Sequence, residues 1–188
     1  MNLLILDGDG IGPEISAATV AVLKGADEAF GLGLKFSSMP IGFAALEKFK
    51  TTFPKETLEA AKAADGTVLG PVSHNDYPPA AQGGINPSGA LRIGLDLYAN
   101  IRPARTRKGF VPPCGKPLDL VIVRENTEGF YSDRSMFLGP GEMMPTPDLA
   151  LSFRKITRLG STRIAEAAFA LARREGRKKV TAVHKANV

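Results

Sequence analysis

Five side chains of this sequence have the chemistry and the positions to bind and transform a small anionic molecule. Three are arginines at strand ends or in a helix turn: Arg92, Arg102 and Arg124. Tyr131 follows seven residues after Arg124, and Lys185 stands at the end of a later strand-like run. A guanidinium clamps a carboxylate through two parallel hydrogen bonds, a phenol can donate a proton, and an amine with a lowered pKa can accept one. The set predicts a pocket for a small acid that carries several carboxylates.

Each of these residues also has an ordinary structural explanation. A single arginine is more often a solvated or salt-bridged surface residue, and only the three together favour convergence on carboxylates. Tyr131 could equally be a half-buried sheet tyrosine, because its spacing from Arg124 does not place both on one strand face. His184 would point away from Lys185 if the strand persists, so we assign it a structural role.

The elements that must position these residues alternate between strands and helices. Apolar runs and helical periodicity predict strands at residues 2–7, 34–38, 66–69, 99–102, 118–124 and 179–184, and helices at 13–30, 55–64, 87–97 and 161–175. This alternation indicates an α/β fold with a mainly parallel sheet. Asn86 is expected to cap one helix, Gly176 to end another, and Pro103 to stop a strand.

Two segments are predicted to lack regular structure. Residues 69–87 are rich in glycine and proline, and a loop of that length is usually functional or disordered. Residues 136–151 contain three prolines and two glycines, and this composition predicts a protruding arm or long loop rather than core.

A glycine-rich turn at residues 8–12 separates the first strand from the first helix. Gly8, Gly10 and Gly12 suggest a dinucleotide-binding fingerprint, but Pro13 occupies the position of its third glycine. A standard Rossmann site is therefore disfavoured. The glycines either permit a tight turn or also leave backbone N–H groups for an anion.

Composition argues against several classes of protein. The net charge is +5, but the basic residues are dispersed and not interleaved with aromatic rings, so we predict no nucleic-acid partner. No apolar run approaches the roughly 18 residues of a membrane helix, so we predict no membrane partner. One cysteine, Cys114, and two histidines leave little material for a zinc site, and an unpaired cysteine favours a cytoplasmic protein.

Four motifs together resemble the isocitrate/isopropylmalate dehydrogenase family. They are Gly8-Asp-Gly-Ile-Gly-Pro-Glu14, Leu91-Arg92 with Asp96-Leu-Tyr-Ala-Asn-Ile-Arg102-Pro, Val123-Arg-Glu-Asn-Thr-Glu-Gly-Phe-Tyr131, and His184-Lys-Ala-Asn-Val188. The resemblance implies a two-domain α/β fold of the isopropylmalate dehydrogenase type, distinct from the Rossmann fold and usually found as a homodimer. Residues 1–98 would begin the cofactor-side domain, and residues 99–188 the dimer-forming domain with the arm at about 136–151.

The chain ends four residues after its last predicted strand, which would leave one face of the sheet uncovered. We therefore expect an incomplete chain, the front half of a longer protein. The remainder of both domains would then be absent.

The resemblance also implies a reaction, the NAD- or NADP-dependent oxidation and decarboxylation of a 2-hydroxy acid built on malate. The three arginines would hold the malate carboxylates, and Tyr131 would protonate the enolate left after carbon dioxide departs. Lys185 would assist deprotonation of the hydroxyl in the active site of the partner subunit. The cofactor would contact Ile11, Gly70, Pro71, Val72, Ser73 and Asn187. Mg²⁺ or Mn²⁺ would bind through residues beyond Val188, so this chain alone is expected to be inactive.

Substrate choice is expected from the helix before Arg92. Isopropylmalate enzymes resemble one another in placing leucines where Ser88 and Gly89 stand here. Isocitrate enzymes tend to carry serine six and asparagine four residues before the arginine, and here Asn86 and Ser88 reverse that order. The polar pair favours isocitrate or homoisocitrate, followed by tartrate, D-malate or 3-isopropylmalate, although Asn86 could be only a helix cap.

Two other interpretations remain open. One is a non-catalytic regulatory subunit of a heteromeric dehydrogenase, and the other is a plain anion-binding α/β domain. Retention of Tyr131 and Lys185 favours the enzyme, because a regulatory subunit needs neither group.

Overall fold

Two compact units, Met1–Asp96 and Leu97–Val188, make up the chain. The computed structural model describes residues 1–129 and 141–184. No helix in these two ranges is long and apolar enough to cross a membrane.

The first unit is built on a parallel sheet. Its elements in chain order are β1 (Asn2–Leu6), α1 (Gly12–Phe30), β2 (Lys35–Ser38), α2 (Gly42–Phe49), α3 (Lys55–Ala63), β3 (Gly66–Leu69) and α4 (Pro87–Gly94). The strands pair in parallel in the order β2-β1-β3, which confirms the predicted α/β fold with a parallel sheet. The chain moves to one side of β1 to form β2 and to the other side to form β3. The strand order therefore reverses between β1 and β3.

The main hydrophobic cluster of this unit lies on the face of the sheet that carries Leu4 and Leu6. Leu4 and Leu6 of β1 are almost fully buried, and alternate residues of a strand point to the same face. They pack against apolar side chains from the helices and connections, namely Ile41, Phe53, Ala61 and Leu91. Burial of Leu91 fixes α4 on the core and thereby places the neighbouring residue, Arg92.

Two segments of the first unit contain more structure than predicted. Helix α2 was not predicted from the sequence. The long segment after β3 contains two short 3₁₀ turns, His74–Asp76 and Ala80–Gln82. Thr52 ties this segment down, since its hydroxyl donates to the carbonyl oxygen of Ile85 and accepts the N–H of Ile85 at 2.7 Å.

The second unit contains antiparallel pairs and one long helix. Its elements are β4 (Ala99–Arg105), β5 (Asp119–Glu125), β6 (Glu142–Thr146), β7 (Leu149–Ser152) and α5 (Arg158–Arg174). β4 pairs with β5, and β6 with β7. The prediction that Pro103 stops β4 is wrong, because Pro103 pairs with Val121 and the strand continues to Arg105. In the described part of the chain β4 has a neighbour on one side only, and proline is tolerated on an edge strand.

The predicted arm is partly a β-hairpin. Residues 142–152 form β6, a turn and β7, and all of them are exposed. The expectation of a long loop is therefore wrong for these residues, because cross-strand pairing outweighs their turn-forming composition. Residues 136–140 lie outside the described ranges.

The two ends of the segment 158–184 differ in how well they were predicted. Gly176 ends α5 at φ 64°, as expected, and the Arg177 N–H donates to the Ala172 carbonyl at 2.8 Å. The predicted strand at 179–184 is wrong, because these residues are exposed and pair with no strand in the described part of the chain. β-propensity reflects packing against neighbouring strands, so it does not create a strand without a partner.

Candidate functional site

The carboxyl ends of β1 and β3 lie side by side at one edge of the sheet in the first unit. Leu6 pairs with Leu69, so the chain leaves both strands at one edge, into the glycine turn 8–12 and into the loop Gly70–Ser73. The Asp9 N–H donates to the carbonyl oxygen of Pro71 at 2.8 Å. A Cβ atom at Gly8, whose φ is 79°, would lie 2.0 Å from the same oxygen, so this approach requires glycine. Ligands of open α/β sheets bind at such an edge where the strand order reverses.

Most of the residues that the resemblance assigns to the cofactor lie at this edge. Ile11 precedes α1 directly and is 59% exposed. Gly70, Pro71, Val72 and Ser73 form the loop that follows β3. Asn187 lies outside the described residues.

Asp9 is the buried polar centre of this edge, and sequence reasoning did not single it out. The residue is 8% exposed. Its Oδ1 atom accepts the N–H of Phe43 at 2.8 Å. Its Oδ2 atom accepts the N–H of Ser73 at 3.0 Å and the O–H of Tyr77. Burial, the hydrogen bond to Asp9 and the Asp9 charge raise the pKa of the Tyr77 phenol well above its usual range, so Tyr77 remains a donor at neutral pH.

Helix α4 carries the predicted substrate residues of the first unit. The predicted cap is confirmed, because the side-chain oxygen of Asn86 accepts the N–H of Gly89 at 3.2 Å. Ser88 and Arg92 are four residues apart and therefore share one face of the helix. Both are partly exposed, whereas Leu91 is buried. The helix thus presents a hydroxyl one turn before a guanidinium.

Arg102 and Arg124 share one face of the β4–β5 ladder. Arg124 pairs with Asn100, and Arg102 lies two residues further along β4, so all three side chains project to the same side. Diagonal neighbours of this kind have Cβ atoms about 7–8 Å apart. The Nε of Arg102 donates to Oδ1 of Asn100 at 3.0 Å. The ladder therefore brings two of the three predicted arginines within reach of one small polyanion.

The residues after Arg124 organise the end of β5. The Glu125 carboxylate accepts the N–H groups of Thr127 and Glu128 and the Thr127 hydroxyl, the last at 2.6 Å. Asn126 is 5% exposed, and its N–H donates to the carbonyl oxygen of Tyr98 at 2.9 Å. These local bonds hold the strand end that carries Arg124. These bonds were not predicted from the sequence, because glutamate is not among the residues (Ser, Thr, Asn and Asp) that commonly bond to nearby backbone groups.

Glu128 joins this strand end to the start of α5. Its carboxylate accepts both the N–H of Thr157, at 2.8 Å, and the Thr157 hydroxyl. Thr157 caps the helix, because its side-chain oxygen accepts the N–H of Gly160 at 2.9 Å. A Cβ atom at Gly160 would lie 2.5 Å from the carboxylate of Glu128, so the helix start and the carboxylate are fitted to each other.

The predicted proton-transfer residues are not among those that the structure describes. Tyr131 and Lys185 lie outside the described residues, so their roles stay predictions. Arg92 belongs to the first unit, whereas Arg102 and Arg124 belong to the second. Within residues 1–129 and 141–184, no three His, Cys, Asp or Glu side chains are grouped so that they could hold a metal ion.

Comparison with known proteins identifies sequences that are similar to this chain. The sequence model described as isocitrate/isopropylmalate dehydrogenase matches residues 2–188. The chain is 40% identical over 189 aligned residues to a 3-isopropylmalate dehydrogenase of Methanothermobacter thermautotrophicus, and 38% identical to an isocitrate/homoisocitrate dehydrogenase of Thermus thermophilus. In both cases the match covers 100% of this chain and 51% of the relative, so the chain spans about half the length of these curated relatives.

A solved structure is similar over the same extent. The isocitrate dehydrogenase from Methylococcus capsulatus superposes with a TM-score of 0.78 at 39% identity, covering 99% of this chain and 51% of that one. These relatives are named for different hydroxy acids.

Proposed function

This chain belongs to the isocitrate/isopropylmalate dehydrogenase family, and from that premise we propose that it serves in the oxidative decarboxylation of a malate-type 2-hydroxy acid. NAD is the proposed oxidant, with NADP as the alternative, and the protein acts as a homodimer. Hydride and hydroxyl proton leave the substrate to give a ketone β to a carboxylate, which departs as carbon dioxide. The resulting enolate then takes up a proton.

The sheet edge at the carboxyl ends of β1 and β3 supports the proposed cofactor site. It has an exposed apolar side chain, Ile11, and a backbone loop, Gly70–Ser73, at the edge where α/β sheets bind ligands. Glycine at position 8 allows the two segments to touch, so the edge is formed by backbone rather than by bulky side chains. Ile11 and the Gly70–Ser73 loop would hold the dinucleotide, which would supply the hydride acceptor for C2 of the substrate. Residues 1–98 would accordingly be the start of the cofactor-side domain.

The arginines support the recognition of carboxylates. Arg102 and Arg124 lie as diagonal neighbours on one face of the β4–β5 ladder, and this is the observation that carries the proposal. Planar guanidinium groups bind carboxylates through two parallel hydrogen bonds and so fix the orientation of the reacting carbon. Arg92 of α4 is the proposed third contact.

Proton transfer is assigned by matched motif. Tyr131 is the proposed donor to the enolate, and Lys185 the proposed base, acting in the site of the partner subunit. The described residues assemble no metal site. By the family resemblance, Mg²⁺ or Mn²⁺ would bind through residues beyond Val188 and would supply a Lewis acid that stabilises the enolate.

Isocitrate or homoisocitrate is the proposed substrate, and the argument rests mainly on Ser88. Its hydroxyl shares a helix face with Arg92, where it can bond a third carboxylate. An isopropyl group would leave this hydroxyl unpaired. Asn86 adds less, because its amide oxygen caps α4. Tartrate, D-malate and 3-isopropylmalate are the next candidates.

A turnover assay tests the proposal. The intact enzyme would be given Mg²⁺ or Mn²⁺, NAD or NADP, and a panel of these hydroxy acids. Ser88→Leu should lower kcat/KM for isocitrate by about 10- to 200-fold and raise it for 3-isopropylmalate, since a hydrogen bond is replaced by apolar contact. Ser88→Ala is the matched control, which should weaken isocitrate turnover without the gain for isopropylmalate. If the Ser88 variants change kcat/KM by the same factor for all substrates, α4 does not determine substrate choice.

The alternative function is a non-catalytic regulatory subunit of a heteromeric dehydrogenase. It would bind the acid or the nucleotide without turnover. Binding of isocitrate by the intact protein, with no turnover of any hydroxy acid in the panel, would favour this alternative.

A further inference from the structure

We propose that Asp9 is a positioning residue that holds the glycine turn and the Gly70–Ser73 loop in the geometry that accepts the cofactor. The inference rests on the proposed function, because it assumes that the dinucleotide binds at this edge. It concerns a side chain that turns inward rather than toward the ligand.

Four segments of the first unit meet at Asp9. Its carboxylate accepts N–H groups from Phe43, the second residue of α2, and from Ser73 in the loop after β3. It also accepts the O–H of Tyr77, which follows a 3₁₀ turn. Its own N–H donates to Pro71 at 2.8 Å. Asp9 is therefore bonded to both Pro71 and Ser73, so the loop cannot move relative to the glycine turn without breaking bonds to this residue.

Neighbouring atoms leave little space around the Asp9 carboxylate. A Cβ atom at Gly42, whose φ is 68°, would lie 2.2 Å from Oδ1 of Asp9. The rings of Phe43 and Tyr77, two of the residues that donate to Asp9, pack edge to face with centroids 5.0 Å apart. The residue itself is 8% exposed. Little room remains for a longer side chain or for a second position of the carboxylate.

The charge of Asp9 matters as well as its shape. Three donors point at its two oxygens, and a buried carboxylate is tolerated only when it is so bonded. An asparagine has one acceptor oxygen and an amino group that only donates. In Asp9→Asn the amino group must therefore face either Phe43 N–H or the donors from Ser73 and Tyr77, and one contact is lost.

The expected consequence is selective. Asp9 binds the loop of the proposed cofactor site, and it makes no described contact with Ser88 or Arg92 of α4. Disturbing it should raise the KM for the dinucleotide and leave the KM for the hydroxy acid nearly unchanged. A purely structural residue would instead lower the amount of folded enzyme and leave both constants as they were.

The test compares three variants of the intact enzyme. Asp9→Asn should raise both the KM for NAD, or for NADP if that is the better oxidant, and its dissociation constant measured by calorimetry without hydroxy acid. The expected factor is about 10- to 100-fold, as for the loss of a hydrogen bond to a charged group. Tyr77→Phe removes one donor and should raise both constants by about 2- to 10-fold. It also keeps the inference testable if Asp9→Asn does not fold.

The matched control is Asp65→Asn. The Asp65 carboxylate also accepts a backbone N–H, that of Asn2 at 2.6 Å, but at the opposite end of the same strands. It should change Tm without changing either KM. The inference is overturned if Asp9→Asn and Tyr77→Phe leave the cofactor KM at the wild-type value, or if they raise both KM values equally. Absence of dinucleotide-dependent turnover in the wild type would instead overturn the proposed function, and the inference with it.

Discussion

Replacing Gly160 with alanine should change stability in opposite directions according to whether Glu128 is present. A Cβ atom at this position would lie 2.5 Å from both Cδ and Oε2 of Glu128. The carboxylate cannot retreat while it holds the N–H and the hydroxyl of Thr157. In a helix without such an obstacle, alanine in place of glycine stabilises by roughly 0.5–1 kcal/mol.

The expected change in unfolding free energy follows from the Glu128 contacts that Gly160→Ala would break. A hydrogen bond to a charged group contributes about 1.5–3 kcal/mol, and a negative charge at a helix N-terminus about 0.3–1 kcal/mol. Glu128 is partly exposed, so water replaces part of what is lost. After the intrinsic preference for alanine is included, Gly160→Ala should destabilise the wild type by ~1–3 kcal/mol. In the Glu128→Ala background it should stabilise by ~0.5–1 kcal/mol.

The assay is urea unfolding of the wild type, the two single variants and the double variant. Gly25→Ala serves as the control, because Gly25 lies within α1 and a Cβ atom there would meet nothing within 4 Å. It should stabilise by ~0.5–1 kcal/mol in both backgrounds. The reasoning is refuted if Gly160→Ala stabilises the protein while Glu128 is present, or if its effect has the same sign with and without Glu128.

Three further predictions concern the arginine ladder and two titrating groups. Arg124→Lys keeps the positive charge but loses the planar guanidinium that bonds a carboxylate through two hydrogen bonds, so the KM for the hydroxy acid should rise about 10- to 100-fold in steady-state assays. The control is Arg105→Lys at the far end of β4, which should leave this KM unchanged. In an ultraviolet titration one tyrosine should ionise well above pH ~10, and Tyr77→Phe should remove that signal. Since the folded-state pKa of Tyr77 is raised, its contribution to stability is complete below pH ~10 and is lost as the pH rises through the folded value. A hydrogen bond from Arg177, and then contacts with Arg105, lower the pKa of Asp119 below its ordinary 3.8, so its stabilising contribution is present above that pH and is lost as the pH falls through the folded value. The difference in unfolding free energy between wild type and Asp119→Asn should therefore shrink under acid, and a constant difference would contradict the assignment.

The start of α4 is an example of a feature that the sequence predicts correctly. Asn86 followed by Pro87 predicted a capped helix, and the Asn86 side chain caps it. Gly176 predicted the end of α5 in the same way, and it adopts a φ of 64°. Both signals depend on bonds and backbone angles within a few residues, which the local sequence specifies. The family assignment from four motifs is confirmed for the same reason, because each motif can be recognised in the sequence itself.

Strand pairing could not be predicted from the sequence. Residues 179–184 have the composition of a strand, yet they are not paired in the described part of the chain, whereas β4 continues through Pro103. Neither outcome follows from the propensities of the residues. A strand is stabilised by pairing with a neighbouring strand, and proline is excluded only where a neighbouring strand would need its missing N–H.

The sequence by itself determined the family, the order of strands and helices around the glycine turn, and the helix ends marked by Asn86 and Gly176. Only the tertiary structure decided that Asp9 lies inward against Ser73, 64 residues away, and that Glu128 reaches Thr157 across 29 residues. Propensity, capping and periodicity act between near neighbours in the chain. A buried carboxylate, in contrast, takes its donors from whichever segments the fold brings to it, and no local pattern records that choice.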